Sequence, residues 1–154
     1  MKQLAATALF VLFVFFPCTF LYSADLNNSQ IVKLINSYRK SQGLVPFKEN
    51  AKLKRSSRIK TDDMVTNRYF GHDDLRGDPF YTNIRRVDYR YRNVGEVLAR
   101  GCRNEKSVLR VWLNSPPHRA AILDPVFRDI GCSNRLGHDH GFYVVCHLGR
   151  TAGR

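Results

Sequence analysis

Residues 112–132 read WLNSPPHRAAILDPVFRDIGC. Trp112 closes the apolar stripe of one helix, Ser115 stands where the next helix needs a cap, and Pro116 and Pro117 open it, where backbone amides lack partners and proline is tolerated. His118 therefore lies in a first helical turn. The positive end of the helix macrodipole disfavours imidazolium there and leaves a ring nitrogen free to accept a proton or a metal. The plainer reading is a solvated histidine in an ordinary first turn. Past Leu123 the chain turns through Asp124 and Pro125 into a strand that carries Cys132.

Cys132 and Cys146 are equally far from Asp139, and so are Gly137 and Gly141. A hairpin with arms over residues 129–134 and 142–148 is centred on that aspartate, and its register sets the two sulfurs opposite each other. A Cys132–Cys146 disulfide is expected, with two reduced core cysteines as the alternative. Cys102 is then left free or pairs between chains. His138, Asp139 and His140 fall at the hairpin tip, where the flanking glycines indicate a solvated turn rather than a second metal site.

Upstream, Ile31, Leu34, Ile35 and Tyr38 recur at helical spacing after Ser29 as the expected cap, and Gly43 ends that helix. A second helix over residues 50–67 turns Leu53, Ile59 and Met64 inward and Lys52, Lys54, Arg55 and Lys60 outward, which leaves a thin apolar side. A Gly- and Asp-rich loop over residues 71–78 carries His72 and leads to a short helical segment with Phe80, Ile84 and Val87. Residues 91–99 read as a strand, and residues 105–114 as a helix with Val108, Val111 and Trp112 on its apolar side. Glu96 sits among Val94, Val97 and Leu98, where a buried carboxylate costs several kcal/mol unless a partner satisfies it. His118 is one candidate partner, and a purely structural Glu96–His118 hydrogen bond is an alternative to any ligand site. Helices around a small antiparallel sheet give an α+β class.

The N-terminus has Lys2 and then an apolar run from Leu4 to Tyr22, broken by Thr7, Pro17, Cys18 and Thr19. Its longest unbroken stretch is shorter than a spanning helix needs, and small residues follow it. Residues 1–24 are expected to be a signal peptide cut after Ala24, leaving residues 25–154 as a single domain that is secreted or periplasmic. An uncleaved membrane anchor is the main alternative; lipid modification of Cys18 is disfavoured by Pro17. The formal net charge is +12. Such a chain attracts anionic partners, and for an exported one these are anionic lipid or envelope polymer. No nucleic acid is expected: Tyr89, Arg90, Tyr91 and Arg92 read as an alternating strand with one wet face. The chain is expected to act as a monomer.

Four strings carry a resemblance across most of residues 25–154: INSYRKSQGLVP at 35–46, YFGH at 69–72, GEVLA at 95–99 and WLNSPPHRAAIL at 112–123, followed by IGC and FYVVCHLG. In order and spacing they resemble the CAP superfamily (cysteine-rich secretory proteins, antigen 5, pathogenesis-related 1), in its compact bacterial form, the SCP domain. The resemblance implies an α-β-α sandwich with a central cleft lined by two histidines and one or two glutamates that often hold a divalent metal. Carried over by position, these are His72, Glu96 and His118. Val97 stands where the family has asparagine, Pro117 where it has glycine, and Ser115 where many members have a second glutamate. Three ligands remain, the number of an open zinc-type site, which would hold metal weakly or, without a further ligand, not at all.

The resemblance implies either of two functions. The first is a non-enzymatic ligand- or metal-binding module at the cell envelope or outside the cell. The alternative is a metal-assisted, protease-like hydrolase in which His72 and His118 hold zinc and Glu96 completes the set or takes a proton from bound water. The chain has no Gly-x-Ser-x-Gly elbow, phosphate-binding glycine loop, His-Glu-x-x-His pair or Cys-x-x-Cys. Cys102 beside Arg103 has no marked base.

Overall fold

The computed structural model describes residues 25–153. Residues 1–24, expected to be a signal peptide, lie outside the described residues. Nine elements follow in order: α1 (Asn28–Ser41), β1 (Lys48–Glu49), α2 (Ala51–Thr66), α3 (Tyr81–Arg86), β2 (Tyr91–Cys102), α4 (Glu105–Asn114), α5 (Pro116–Leu123), β3 (Asp129–Leu136) and β4 (Phe142–Thr151). The strands form one sheet in the order β1-β3-β4-β2. β4 pairs antiparallel with both β2 and β3, while the two-residue β1, too short to announce itself in the sequence, adds a parallel edge on β3. The fold is α+β, with a small mixed sheet.

Strand alternation splits the core into two layers. Val97, Ala99, Val144, Cys146 and Leu148 face one way and pack with Ile31 and Ile35 of α1, Val108 and Trp112 of α4 and Ile122 of α5. Trp112 is fully buried, and its indole N–H donates to the Leu98 carbonyl at 2.8 Å. Leu98, Tyr143 and Val145 face the other way, against Met64 and Val65 of α2. The hairpin has the expected symmetry: Cys132 and Cys146 are direct partners and are bonded. Closing that 14-residue separation contributes about 3 kcal/mol in the chain-entropy account. At the tip, Asp139 pairs with Arg100 at 2.6 Å, and His138 and His140 are exposed.

Several local expectations are corrected. Asn27, not Ser29, caps α1, its side chain accepting from the Gln30 amide. Ser115 has the backbone of a cap but makes no side-chain capping bond. Val111 is exposed rather than part of the apolar side of α4. The largest correction concerns α2. Its buried face runs through Leu53, Ser56, Ser57, Lys60, Thr61 and Met64, so Lys60 points inward, and Ile59 lies beside the stripe. The stripe keeps helical spacing, but four of these six residues are polar, and hydrophobicity alone does not mark it. Each polar member has a partner: Ser57 donates to the Gly131 carbonyl at 2.6 Å, Thr61 to Ser133 Oγ at 2.9 Å, and Lys60 Nζ to the His72 carbonyl at 2.8 Å.

Candidate functional site

Glu96 lies mid-β2 on the face toward α2, with a side chain fully removed from solvent. Its register partner on β4 is His147. One carboxylate oxygen, Oε2, accepts from His147 Nε2 at 2.9 Å; the other, Oε1, accepts from His72 Nδ1 at 2.7 Å. His147 is itself fully buried, and its Nδ1 lies 2.7 Å from Ser56 Oγ on α2. An ionised carboxylate only accepts, so both histidines present N–H to it. Ser56 Oγ also donates to the Leu53 carbonyl at 2.9 Å, so the hydroxyl links His147 to the α2 backbone. His72 is brought over the carboxylate by the loop after α2, which Lys60 holds through the carbonyls of His72 and Asp73.

His118 stands in the first turn of α5 with its ring centre 6.5 Å from that of His72. It makes no bond to Glu96; His72 and His147 take that role. Its Nδ1 is buried without a hydrogen-bond partner. Burial, and then the charge of His72, hold its pKa below 6.5 and keep it neutral. His147 escaped sequence reasoning because FYVVCHLG reads as one apolar run. The signal lay in parity, since His147 and Glu96 face each other once β2 is laid on β4.

Among the described residues no group of three or more His, Cys, Asp or Glu side chains converges as a metal centre would. Imidazoles sharing one tetrahedral zinc, each about 2.1 Å from it, have ring centres roughly 5 Å apart. The observed pair is wider. The residue chemistry nonetheless fits a divalent ion: two imidazoles, one oriented by a carboxylate as in carboxylate–histidine–metal sites, the other with an orphaned nitrogen. Glu96, with both oxygens engaged, suits the orienting role.

The electrostatics give a pH window. The hydrogen bond to Glu96, against partial burial, raises the His72 pKa above 6.5. Burial pushes the Glu96 carboxyl up, but the bonds from His147 and His72 together outweigh it and leave it below 4.5. A raised histidine contributes stability fully below its unfolded value and loses it as pH rises through its folded value. A lowered carboxyl contributes fully above its unfolded value and loses it as pH falls. The pair therefore stabilises most between about pH 4.5 and 6.5. The gap in melting temperature between the native chain and His72→Ala is expected to be widest there and to close toward about pH 9; a gap that stays constant from about pH 5.5 to 9 excludes the ion pair as its source.

Together the layered α+β fold, the disulfide-closed hairpin and two neighbouring histidines, one bonded to a buried glutamate, are the features of an SCP-type domain. Residues 32–148 match the cysteine-rich secretory protein family, CAP, and the chain belongs to that family. It is 34% identical over 110 residues to the uncharacterized protein YkwD of Bacillus subtilis (strain 168), covering 71% of this chain and 42% of that protein, so it spans less than half of that relative's length. An outer surface protein of Borrelia burgdorferi shares the fold with a TM-score of 0.74 at 24% identity, over 80% of this chain and 91% of that one. An extracellular protein containing an SCP domain from Bacillus anthracis str. Ames does so with a TM-score of 0.72 at 24% identity, over 80% of this chain and 40% of that one.

Proposed function

We propose that this is an exported, non-enzymatic CAP domain, acting at the cell envelope or outside the cell, whose cleft at His72 and His118 binds a small polar ligand or a divalent ion. One observation carries the preference for binding over hydrolysis. Glu96, the one carboxylate of the proposed triad, is fully removed from solvent with each oxygen bonded to a histidine, so it is not presented to an attacking water as a general base would be. What remains without a protein partner is imidazole: the outer nitrogen of His72, whose side chain is 53% exposed, and the buried Nδ1 of His118. A divalent ion such as zinc would be held by these two rings, and with two protein ligands it would be held weakly; bound, it would supply Lewis acidity. Export is supported by the apolar N-terminal run and by a disulfide, which persists in oxidising compartments. No described helix is long and apolar enough to cross a membrane. The excess of basic residues directs the surface toward anionic lipid or envelope polymer.

The test is calorimetric titration with zinc, comparing the native chain with His72→Ala and His118→Ala. Affinity in the micromolar range or weaker is expected, falling about tenfold or more in either variant, as for the loss of one of two ligands. Peptide and ester hydrolysis in the presence of zinc should stay at background. Zinc-dependent turnover abolished by His118→Ala would establish the hydrolase instead.

A further inference from the structure

A second recess, of about 360 Å³, opens at the end of the sheet where β2 and β3 begin and β4 ends, and its walls include Lys48, Arg92, Arg128, Arg150, Asp129 and Val45. On β2, Arg92 precedes Glu96 by four residues, roughly 13 Å of strand, so the recess is separate from the cleft. Its four cations face one carboxylate, and that carboxylate already accepts the Tyr89 hydroxyl at 2.6 Å. Among the described residues none of the four makes a side-chain ion pair, whereas Arg76, Arg100 and Arg135 at other surfaces each bind an aspartate within 3 Å. Arg128 is tied only to the carbonyls of Pro125 and Phe127.

A fifth cation lies behind the lining, bonded to Val45. Arg39 is fully buried, stacks on the Phe47 ring at 3.8 Å and donates from Nε to the carbonyl of Val45 at 3.0 Å. Its other bonds go to the carbonyls of Ile122 and Asp124, and among the described residues its Nη2 has no partner and no carboxylate pairs with it directly. Backbone bonds pin the rim. The Lys48 amide donates to the Arg128 carbonyl and the Arg128 amide to that of Gly149, each at 2.8 Å. Like charges are thus held together on a rigid frame, an arrangement that costs energy without an anion and returns it when one binds.

We propose that this recess is a binding site for a phosphoryl group, as a free phosphate ester or as the phosphate of a larger envelope molecule. Guanidinium groups match phosphate oxygens with paired N–H donors, which favours a phosphoryl ligand over a carboxylate where three arginines meet. The volume accommodates a phosphate with one attached glycerol or sugar unit. Among the described residues Val45 is the only exposed large hydrophobic one at the recess, too little to receive an acyl chain, and this favours a soluble phosphoryl anion over a lipid in its bilayer. The proposal rests on the reading of the domain as a binding module for anionic ligands and names the ligand class.

The experiment titrates the full-length chain with inorganic phosphate and with glycerol 3-phosphate at low and at physiological salt, and floats it on phosphatidylglycerol and phosphatidylcholine vesicles. Arg92→Ala/Arg150→Ala removes two exposed cations of the recess, and Lys33→Ala/Arg55→Ala removes the same charge elsewhere. Soluble phosphates are expected to bind at low salt, weaken as salt rises, and lose about tenfold or more in affinity in the first variant and less than about twofold in the second. Retention on phosphatidylglycerol vesicles alone, lost in the same variant, assigns the phosphoryl group to a lipid headgroup. Absence of both, or equal losses in the two double variants, overturns the site. Phosphate binding that survives in Arg92→Ala/Arg150→Ala but fails in His118→Ala moves the ligand to the cleft, which removes the recess and keeps the binding module. Zinc-dependent hydrolysis overturns the module reading and leaves the recess tested on its own.

Discussion

Gly131→Ala is expected to cost about 4 kcal/mol or more and to lower the melting temperature by about 10 °C or more, at the far end of what a single added methyl group does. A Cβ at this position would stand 2.0 Å from the Lys54 amide nitrogen and 2.2 Å from the Leu53 carbonyl carbon. Both are backbone atoms of α2, so no rotamer change relieves the overlap. The helix itself must lift off β3. Lifting it also breaks the bond from Ser57 to the Gly131 carbonyl and draws Ser56 away from His147, so the loss reaches the His147–Glu96 pair as well as the core. Gly71→Ala is the control: its Cβ would meet nothing nearer than 3.8 Å, and a change within about 0.5 kcal/mol is expected. Thermal unfolding followed by circular dichroism reads both. A Gly131→Ala loss under about 1 kcal/mol would mean that α2 does not lie against the strand backbone.

Glu96→Ala should come next in size, at about 3–5 kcal/mol, because it leaves the buried His147 Nε2 without an acceptor and frees His72 from its only side-chain bond. Glu96→Gln keeps one acceptor oxygen and loses the charge, so a smaller loss of about 1.5–3 kcal/mol is expected. The pair of variants carries a second readout. With the carboxylate gone, the His72 pKa falls back toward its ordinary 6.5, measurable by proton NMR of the ring. A His72 titration that is the same in the native chain and in Glu96→Gln would show that the 2.7 Å contact is not an ionic one. A loss in Glu96→Ala below about 1 kcal/mol would show that His147 finds water or another partner, and that the carboxylate does not organise this region.

Much of the architecture was legible in the chain because it is written in local terms. The bounds of α4 follow from the stripe of Val108 and Trp112 and the stop at Asn114; α5 follows from Pro116 and Pro117; and the Cys132–Cys146 pairing follows from symmetry about Asp139. His72 and His118 were found by position in recognisable strings, and the structure sets their rings near each other. Lys60 and His147 were not found. Lysine on a helix reads as solvated, and a histidine in an apolar strand reads as filler, until the groups that accept their protons come into view from other parts of the chain.

Local signals of period, cap and turn depend on neighbours within a few residues, and so the sequence by itself determined where the helices and the hairpin lie and which cysteines bond. Which side of Glu96 meets which histidine, why a lysine is buried, and why four cations share one recess were decided by the tertiary structure alone. Those outcomes hinge on the pairing of β2 with β4, which joins Glu96 to His147 across 51 residues, and on helix α2 approaching β3 closely enough that only glycine fits. Partners of that kind are chosen by the free energy of satisfying buried polar groups together, a property of the assembled layers that no single segment carries.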